Sequence, residues 1–524
     1  MPRSPSIYAT RAQQKNQQKT LPAPVGGLNA RDSLAAMPPT QAVILNNWFP
    51  VQYGLRVRHG WRRWYNGIPG VVQSLIKHNG VSGTEQMFAA AGGNFIDVTF
   101  GGQYNVADIV ATGFTNDKWQ WTQLGNAFGT HTVAVNGADT PQKYTAGVWT
   151  NCVLTSLDLA FDPKKLVHVV VMHRRLWFTE RDSTNVWYLP VDQIEGACEL
   201  FPVGAVFPQG GYLQVAIPWS VDTGVGMDDM SVFISSKGDI AVYQGIDPDT
   251  GTDFTLVGTY TIGGTVGRRC ATKFGSDVAI LSETGVVLLT SILSQSKMLM
   301  QPPLTDMIQH ILSDDVNLYA TKFGWELFPV QRFNQLYINV PAASTNRQYV
   351  QNTITNAWTQ FSGYEAECWV KMQEEAFFGS TGYVAHAWEG FVDDPDAEGI
   401  GTSIAATCLQ AFNYFDTPAQ KLWNMVRPVF TAAAEPSLAV NFNVDFEVDS
   451  DTPAAPIFVG PPVGAQWDVA KWDEGIWTGG ASSWRRWFSL NNIGFAGAIF
   501  LRTATVNDTN WVSTDFVFLS GNIL

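Results

Sequence analysis

One hairpin-like unit recurs along this chain, and the recurrence restricts the fold more than any composition does. In each copy a β-rich run meets a tight turn of Gly, Asn or Asp, and a second run closes on an aromatic residue. Seven copies follow the pattern, six of them at 88–99 around Gly92 and Gly93, 133–149 around Asn136 and Gly137, 169–189 around Arg181, Asp182 and Ser183, 232–243 around Lys237, Gly238 and Asp239, 278–289 around Glu283, Thr284 and Gly285, and 336–361 with Thr355 and Asn356 before Trp358. A seventh is read at 377–388 around Gly379 and Gly382. Successive copies begin roughly 40 to 60 residues apart, the spacing of four-stranded propeller blades, each too small to bury its own faces. The pattern predicts an all-β fold whose core is a β-propeller of about six to eight blades. No strict WD or kelch signature accompanies it, so an array of β-sandwiches stays open as an alternative.

The flanks read differently. Residues 1–39 are rich in Arg, Lys, Gln, Ser and Pro without strand-like alternation, and are expected to form an extended N-terminal arm. Arg3, Arg11, Lys15 and Lys19 make its start the one basic tract, suited to an acidic neighbour or to phosphate, or simply to solvent. The propeller is expected over 40–398. An acidic, turn-prone stretch from Asp393 to Gly399 ends it, and a C-terminal β domain, sandwich-like, is expected over 399–524. There 440–448 alternates apolar and polar residues as a half-buried strand does. Within 303–312, Met307, Ile308, Ile311 and Leu312 recur at helical spacing after Thr305, predicting a short capped helix that plugs a propeller face or clips a neighbour.

Composition bears on function mainly by exclusion. A formal net charge of -14 argues against a general grip on nucleic acid, which is made with Lys and Arg. No apolar run reaches the roughly 18 residues that span a bilayer, and the N-terminus lacks the apolar core of a signal peptide, so a soluble, non-exported chain is expected. Cys152, Cys198, Cys270, Cys368 and Cys408 are odd in number and widely spaced, which predicts buried free thiols rather than disulfides or a zinc site.

Catalytic signatures are missing: no G-x-S-x-G elbow, P-loop, dinucleotide fingerprint or H-E-x-x-H is present. His168 and His173, five apart beside a strand-like run, fall on opposite faces, so joint metal binding is not expected. The acid pairs Asp228 with Asp229, Asp314 with Asp315, Glu374 with Glu375 and Asp393 with Asp394 raise the question of sugar cleavage, which needs two carboxylates flanking one bond. Adjacent acids in polar turns are ordinarily solvated. The oxygen-rich segment 247–253 lacks the distal Glu of a calcium loop and reads as a turn. No enzyme, metal or cofactor is therefore expected. Trp467, Trp472, Trp477, Trp484 and Trp487, the last two bracketing Arg485 and Arg486, predict a core with an interface rim.

Residues 26–33 (GGLNARDS), 42–50 (AVILNNWFP) and 54–61 (GLRVRHGW) follow one another in an order that resembles the start of podovirus tail nozzle and DNA-stabilisation proteins. Later stretches, 173–178 with 187–192, 238–245, 264–269 and 348–358, resemble interior blades of the same family, while the chain after Pro428 resembles it least. The resemblance implies a virion protein of a short-tailed bacteriophage: a hexameric or higher ring that encloses the channel through which genomic DNA leaves. Its implied partners are further copies of itself, the portal and adaptor, tail fibre or spike proteins, and DNA passing without specific contacts; its implied place is the virion tail, after assembly in the host cytoplasm. On this pattern Asn29, Arg31, Asp32, Arg485 and Arg486 are subunit-interface candidates, Arg31 and Asp32 through ion pairs to a neighbour, or else they merely cap and pair within the first blade. The negative charge, turned toward the ring lumen, would let DNA slide. A tail-associated propeller that binds or cleaves host surface polysaccharide is the alternative.

Overall fold

Seven antiparallel sheets account for the recurring hairpins. The computed structural model describes residues 16–222, 227–251, 253–293, 302–343, 345–397, 399–448 and 482–521. Blade 1 consists of Ser74–Asn79, Glu85–Ala91, Asn94–Asp97 and Ile109–Thr112; blade 2 runs from Gln120–Asn126 to Val148–Asn151, blade 3 from Leu166–Met172 to Glu199–Pro202, and blade 4 from Leu213–Asp222 to Thr255–Thr261. Among the described residues blade 5 has three strands, Ala271–Phe274, Asp277–Ser282 and Gly285–Leu288, and blade 6 runs from Glu326–Val330 to Trp358–Ser362. In blade 7 the late strands Cys368–Met372 and Glu375–Ala387 are completed by the early strand Trp61–Val71, which pairs antiparallel with Glu375–Ala387.

Radial closure follows from the first strands. Each packs against the first strand of the next blade, and Cys368–Met372 packs back against Ser74–Asn79, so the seven form a closed ring. The unit is a seven-bladed β-propeller. Its core lies between blades, and middle strands are covered on both faces, which explains continuous buried runs such as 87–91. Phe88 and Ala90 face the aromatic cluster shared with Trp119, Tyr144 and Trp149 of the blade 2 side, while Met87, Ala89 and Ala91 face Val370 and Phe377 of blade 7. Period-two alternation thus serves two interfaces.

The seventh hairpin is corrected. Gly379 and Gly382 lie inside one long strand, Glu375–Ala387, where a register shift between Thr381 and Tyr383 marks a bulge. Glycine in a strand signals a bulge or a close approach as readily as a turn; a Cβ on Gly379 would lie 2.5 Å from Val72 Cγ1 and 2.8 Å from Cys368 Sγ. The actual turn is Gln373 and Glu374, both with positive φ. The predicted helix exists but is longer: a 3₁₀ turn at Asp306–Ile308 leads into Gln309–Tyr319. Thr305 does not cap it. Its hydroxyl accepts the Val286 amide at 3.0 Å, and the helix, through Asp315 and Tyr349 Oη at 2.7 Å, is tied to blade 6.

The domain boundaries also change. The chain divides into Arg58–Ser403 and a second unit built from both ends, Met1–Val57 with Ile404–Leu524. In this second unit one sheet holds Trp48–Val51, Gly54–Val57, Thr509–Ser520, Lys421–Ala432 and Ser482–Arg485, and another joins Ala42–Asn46, Thr402–Gln410, Gly497–Thr505 and Ser437–Val444. Trp423 of the first sheet meets Phe442 of the second at 4.8 Å between ring centroids, so the two faces share an aromatic core. The sandwich-like domain is real, but residues 40–57 belong to it and not to the propeller.

The arm is corrected with it. Gln17–Pro22 is a strand paired with Thr509–Ser520, Lys19 reaches Asp416 at 2.9 Å, and Ala23, Leu28 and Met37 are buried. An exposed strand at a sheet edge carries no apolar alternation, so nothing in its residues signals it. Removing residues 1–39 is therefore expected to unfold this unit rather than leave an intact monomer, a loss readable as the disappearance of one cooperative transition in a thermal melt. Arg3, Arg11 and Lys15 lie outside the described residues.

All five cysteines are free and buried. Burial pushes Cys152, Cys198, Cys270 and Cys368 up to about 12, and Cys408 well above the usual thiol range. The native protein is expected to resist iodoacetamide at pH 8, with all five thiols alkylated only in denaturant; fast labelling of the native chain would contradict the packing.

Candidate functional site

The ring of first strands encloses a cavity of about 510 Å³ on the propeller axis, lined from every blade: Leu75 and Lys77 of blade 1, Gln120 of blade 2, His168 of blade 3, Val215 of blade 4, Lys273 of blade 5, Phe328 of blade 6 and Lys371 of blade 7. Arg268 and Arg269, which enter blade 5, line it too, and both also line a second cavity of about 420 Å³ at the ends where the first strands begin. Five cations, Lys77, Arg268, Arg269, Lys273 and Lys371, thus face one carboxylate, Glu326, inside a chain of net charge -14.

Three of the cations are already committed. Arg269 donates to Glu326 at 3.2 Å, to the carbonyls of Gln73 and Trp119 at 3.2 Å each, and to Ser74 Oγ at 2.9 Å, cross-linking blades 1, 5 and 6. Burial pushes the Glu326 carboxyl up, opposed by Arg269 and by the Trp369 amide at 3.2 Å. Lys77 pairs with Glu85 at 2.8 Å and Lys371 with Glu374 at 3.1 Å. Arg268 and Lys273 make no hydrogen bond or ion pair with any described residue. His168 bonds the Ala216 carbonyl through Nε2 at 3.0 Å, while its Nδ1 is buried without a partner, as is Gln120 Nε2. Burial pushes His168 down to about 4, so the ring is neutral near pH 7.

The acid pairs do not converge on this cavity. Asp315 is held by Tyr349 and Arg347, Glu375 by Arg332, Glu374 by Lys371, Asp393 by Arg58 and Asp394 by Arg63. Asp229 accepts from Ser220. Two-carboxylate sugar chemistry would find one lining acid here, Glu326, already engaged by Arg269. His173 bonds Ser231 at 3.1 Å, away from His168's partner, and among the described residues no three His, Cys, Asp or Glu side chains are placed to hold a metal ion. Asp247 and Asp249 are spent on Arg175 and Tyr188, and Asp253 accepts the amides of Ile246 and Asp247. Thr252 lies outside the described residues, and the rest of that segment is a turn.

The interface candidates separate into two kinds. Asn29 is buried: its Oδ1 accepts the amides of Arg31 and Asp32 at 2.9 and 3.0 Å, and its Nδ2 donates to Asp32 at 2.9 Å and Gln41 at 2.5 Å. It organises a loop from a buried position in this chain. Arg31 and Asp32 pair with each other at 2.8 Å, which with Asn29 holds the Asp32 carboxyl below its usual range. Arg485 and Arg486 are exposed, with no acidic partner among the described residues; Arg486 lies over the Phe488 ring at 5.8 Å and Arg427 over Trp487 at 4.5 Å. Trp484 is half-buried and donates to the Ala432 carbonyl at 3.0 Å. Trp467, Trp472 and Trp477 lie outside the described residues.

The axial cations escaped the sequence analysis because they are spread from residue 77 to 371, Lys77, Lys273 and Lys371 on three different strands and Arg268 and Arg269 in the segment that enters blade 5. No helix among the described residues is long and apolar enough to cross a membrane.

No family model matches the chain, and no curated protein does. Among solved structures it is similar to YCF48 bound to a D1 peptide, with a TM-score of 0.37 and 8% identity over 67% of this chain and 99% of that one. It is also similar to a candidate 6-phosphogluconolactonase from Bacteroides fragilis, with a TM-score of 0.35 and 10% identity over 58% of this chain and 86% of that one. Likeness this distant has no bearing on what the chain does.

Proposed function

We propose that this chain is a structural subunit of the tail nozzle of a short-tailed bacteriophage, closing into a ring around the channel that retains and then releases the genome. The reading is carried by the ordered run of family-like residues across 26–61. Several of them hold positions that few other residues would fill: Asn29 ties its loop together, and Gly60 lies against the Val392 backbone. The strand Gln17–Pro22 adds support. Among the described residues it pairs on one side only, leaving an open edge of the kind through which a second copy or another tail protein adds. The ring's lumen would form between subunits and is a different surface from the axial cavity of each propeller.

The test is the position of the protein in purified virions, found by averaging electron images of the tail before and after DNA release. A closed ring around an axial channel below the portal is the expected result. Copies projecting from the tail periphery would overturn it in favour of a propeller that binds or cleaves host surface polysaccharide.

A further inference from the structure

The axial cavity has features that neither the fold nor a nozzle role requires. It is the size of a small-molecule site. It gathers five cations in an acidic chain, where the low-dielectric walls of a closed ring concentrate their field. Three are neutralised by acids of the same chain, and the architecture is complete with them: Arg269 alone joins three blades.

Arg268 and Lys273 are left over, the first half-buried and the second exposed to solvent at the cavity. Arg268 is half-buried between the two axial cavities, its five N–H donors without a protein acceptor, and burial draws its basicity down without removing the charge. Two further cavity-lining groups are buried without partners, the Gln120 side-chain amide as a donor and His168 Nδ1. Because His168 Nε2 faces the Ala216 carbonyl, an acceptor only, Nε2 carries the proton and Nδ1 is an acceptor. The unfilled set is therefore two cations and an amide donor beside one hydroxyl acceptor.

We propose that the propeller axis binds a small oxyanion, a phosphate or carboxylate group, through Arg268 and Lys273, with Gln120 donating to it and His168 accepting from a hydroxyl of the same molecule. A guanidinium recognises either anion by paired N–H donors.

The full-length protein is titrated with inorganic phosphate, and separately with citrate, against sodium chloride at equal ionic strength, reading the thermal midpoint and the heat of binding. Saturable stabilisation by phosphate, citrate or both, absent with chloride, is expected. Arg268→Gln should weaken that binding about tenfold or more, as loss of a charge-assisted pair does. The unliganded midpoint should not fall, since Arg268 bonds none of the described residues. Lys273→Ala should weaken binding severalfold, and Lys237→Ala, an exposed lysine outside the cavity lining, should leave it unchanged. Equal responses to chloride and to both oxyanions would overturn the proposal, and so would binding that survives Arg268→Gln intact. Comparing glucose 6-phosphate with phosphate tests the hydroxyl contact: an advantage lost in His168→Phe supports it, and no advantage removes His168 from the site.

Discussion

Gly60→Ala is expected to destabilise the propeller by about 3 kcal/mol or more, at the upper end of what a single added methyl costs in a packed site. A Cβ there would lie 1.7 Å from the Val392 oxygen, 2.4 Å from its carbonyl carbon and 2.9 Å from its nitrogen. All three atoms are backbone, so no rotamer change relieves the clash. The segment is also pinned, since the Gly60 amide donates to the Gly390 carbonyl at 3.1 Å and its own carbonyl accepts the Glu389 amide at 3.0 Å. Gly60 immediately precedes Trp61–Val71, the strand that closes blade 7, so the displacement falls where the ring is joined. Urea unfolding read by tryptophan fluorescence checks it. Gly390→Ala is the control: its φ of +66° is strained for alanine, but nothing lies within 4 Å of the added atom, and a cost of about 1 kcal/mol is expected. A Gly60→Ala loss no larger than that control would show that the backbone yields.

What was legible in the sequence was local. The turns at Gly92 with Gly93, Asn136 with Gly137 and Lys237 with Gly238 stand where their residues place them, because left-handed backbone selects Gly, Asn and Asp whatever the surroundings. Blade repetition followed from these turns. Pairings across hundreds of residues were not legible: Trp61–Val71 contains Gly67, Pro69 and Gly70 and carried no strand reading, yet its partner Glu375–Ala387 makes it a strand. Gln17–Pro22 reads as a polar arm until Thr509–Ser520 is beside it. The candidate site divides in the same way. Arg268 and Arg269 are neighbours in the chain and carried no site reading there; that one of them cross-links blades while the other faces an unfilled cavity depends on strands contributed by the entire ring.

The adjacent acids Asp393 and Asp394 look equivalent in sequence, and burial makes their removal unequal. Arg58 is 1% exposed, and all five of its N–H donors are used: Nη1 and Nη2 on Asp393 at 2.8 and 2.6 Å, Nη1 also on the His59 carbonyl at 2.9 Å, and Nε and Nη2 on the Ser362 carbonyl at 3.2 and 2.7 Å. Its guanidinium carbon lies 4.5 Å from the centre of the Tyr364 ring. Asp393→Ala leaves that charge buried with two donors unmet, and a loss of about 3–5 kcal/mol is expected. Asp394 instead pairs with Arg63 at 2.8 Å where the two side chains are 33% and 42% exposed, so Asp394→Ala should cost less than about 1 kcal/mol. The double variant Arg58→Met with Asp393→Leu removes both charges and should recover most of what Asp393→Ala loses, since the penalty belongs to the orphaned cation more than to the lost attraction. Salt separates the sites further: 0.5 M NaCl should shrink the small Asp394 effect and leave the Asp393 effect in place, because water and ions do not reach Arg58. Unfolding midpoints of the three variants at low and high salt measure all of this. Equal losses for Asp393→Ala and Asp394→Ala would mean that solvent enters around Arg58, and that the joint between the start of the propeller and its last blade is held by packing alone.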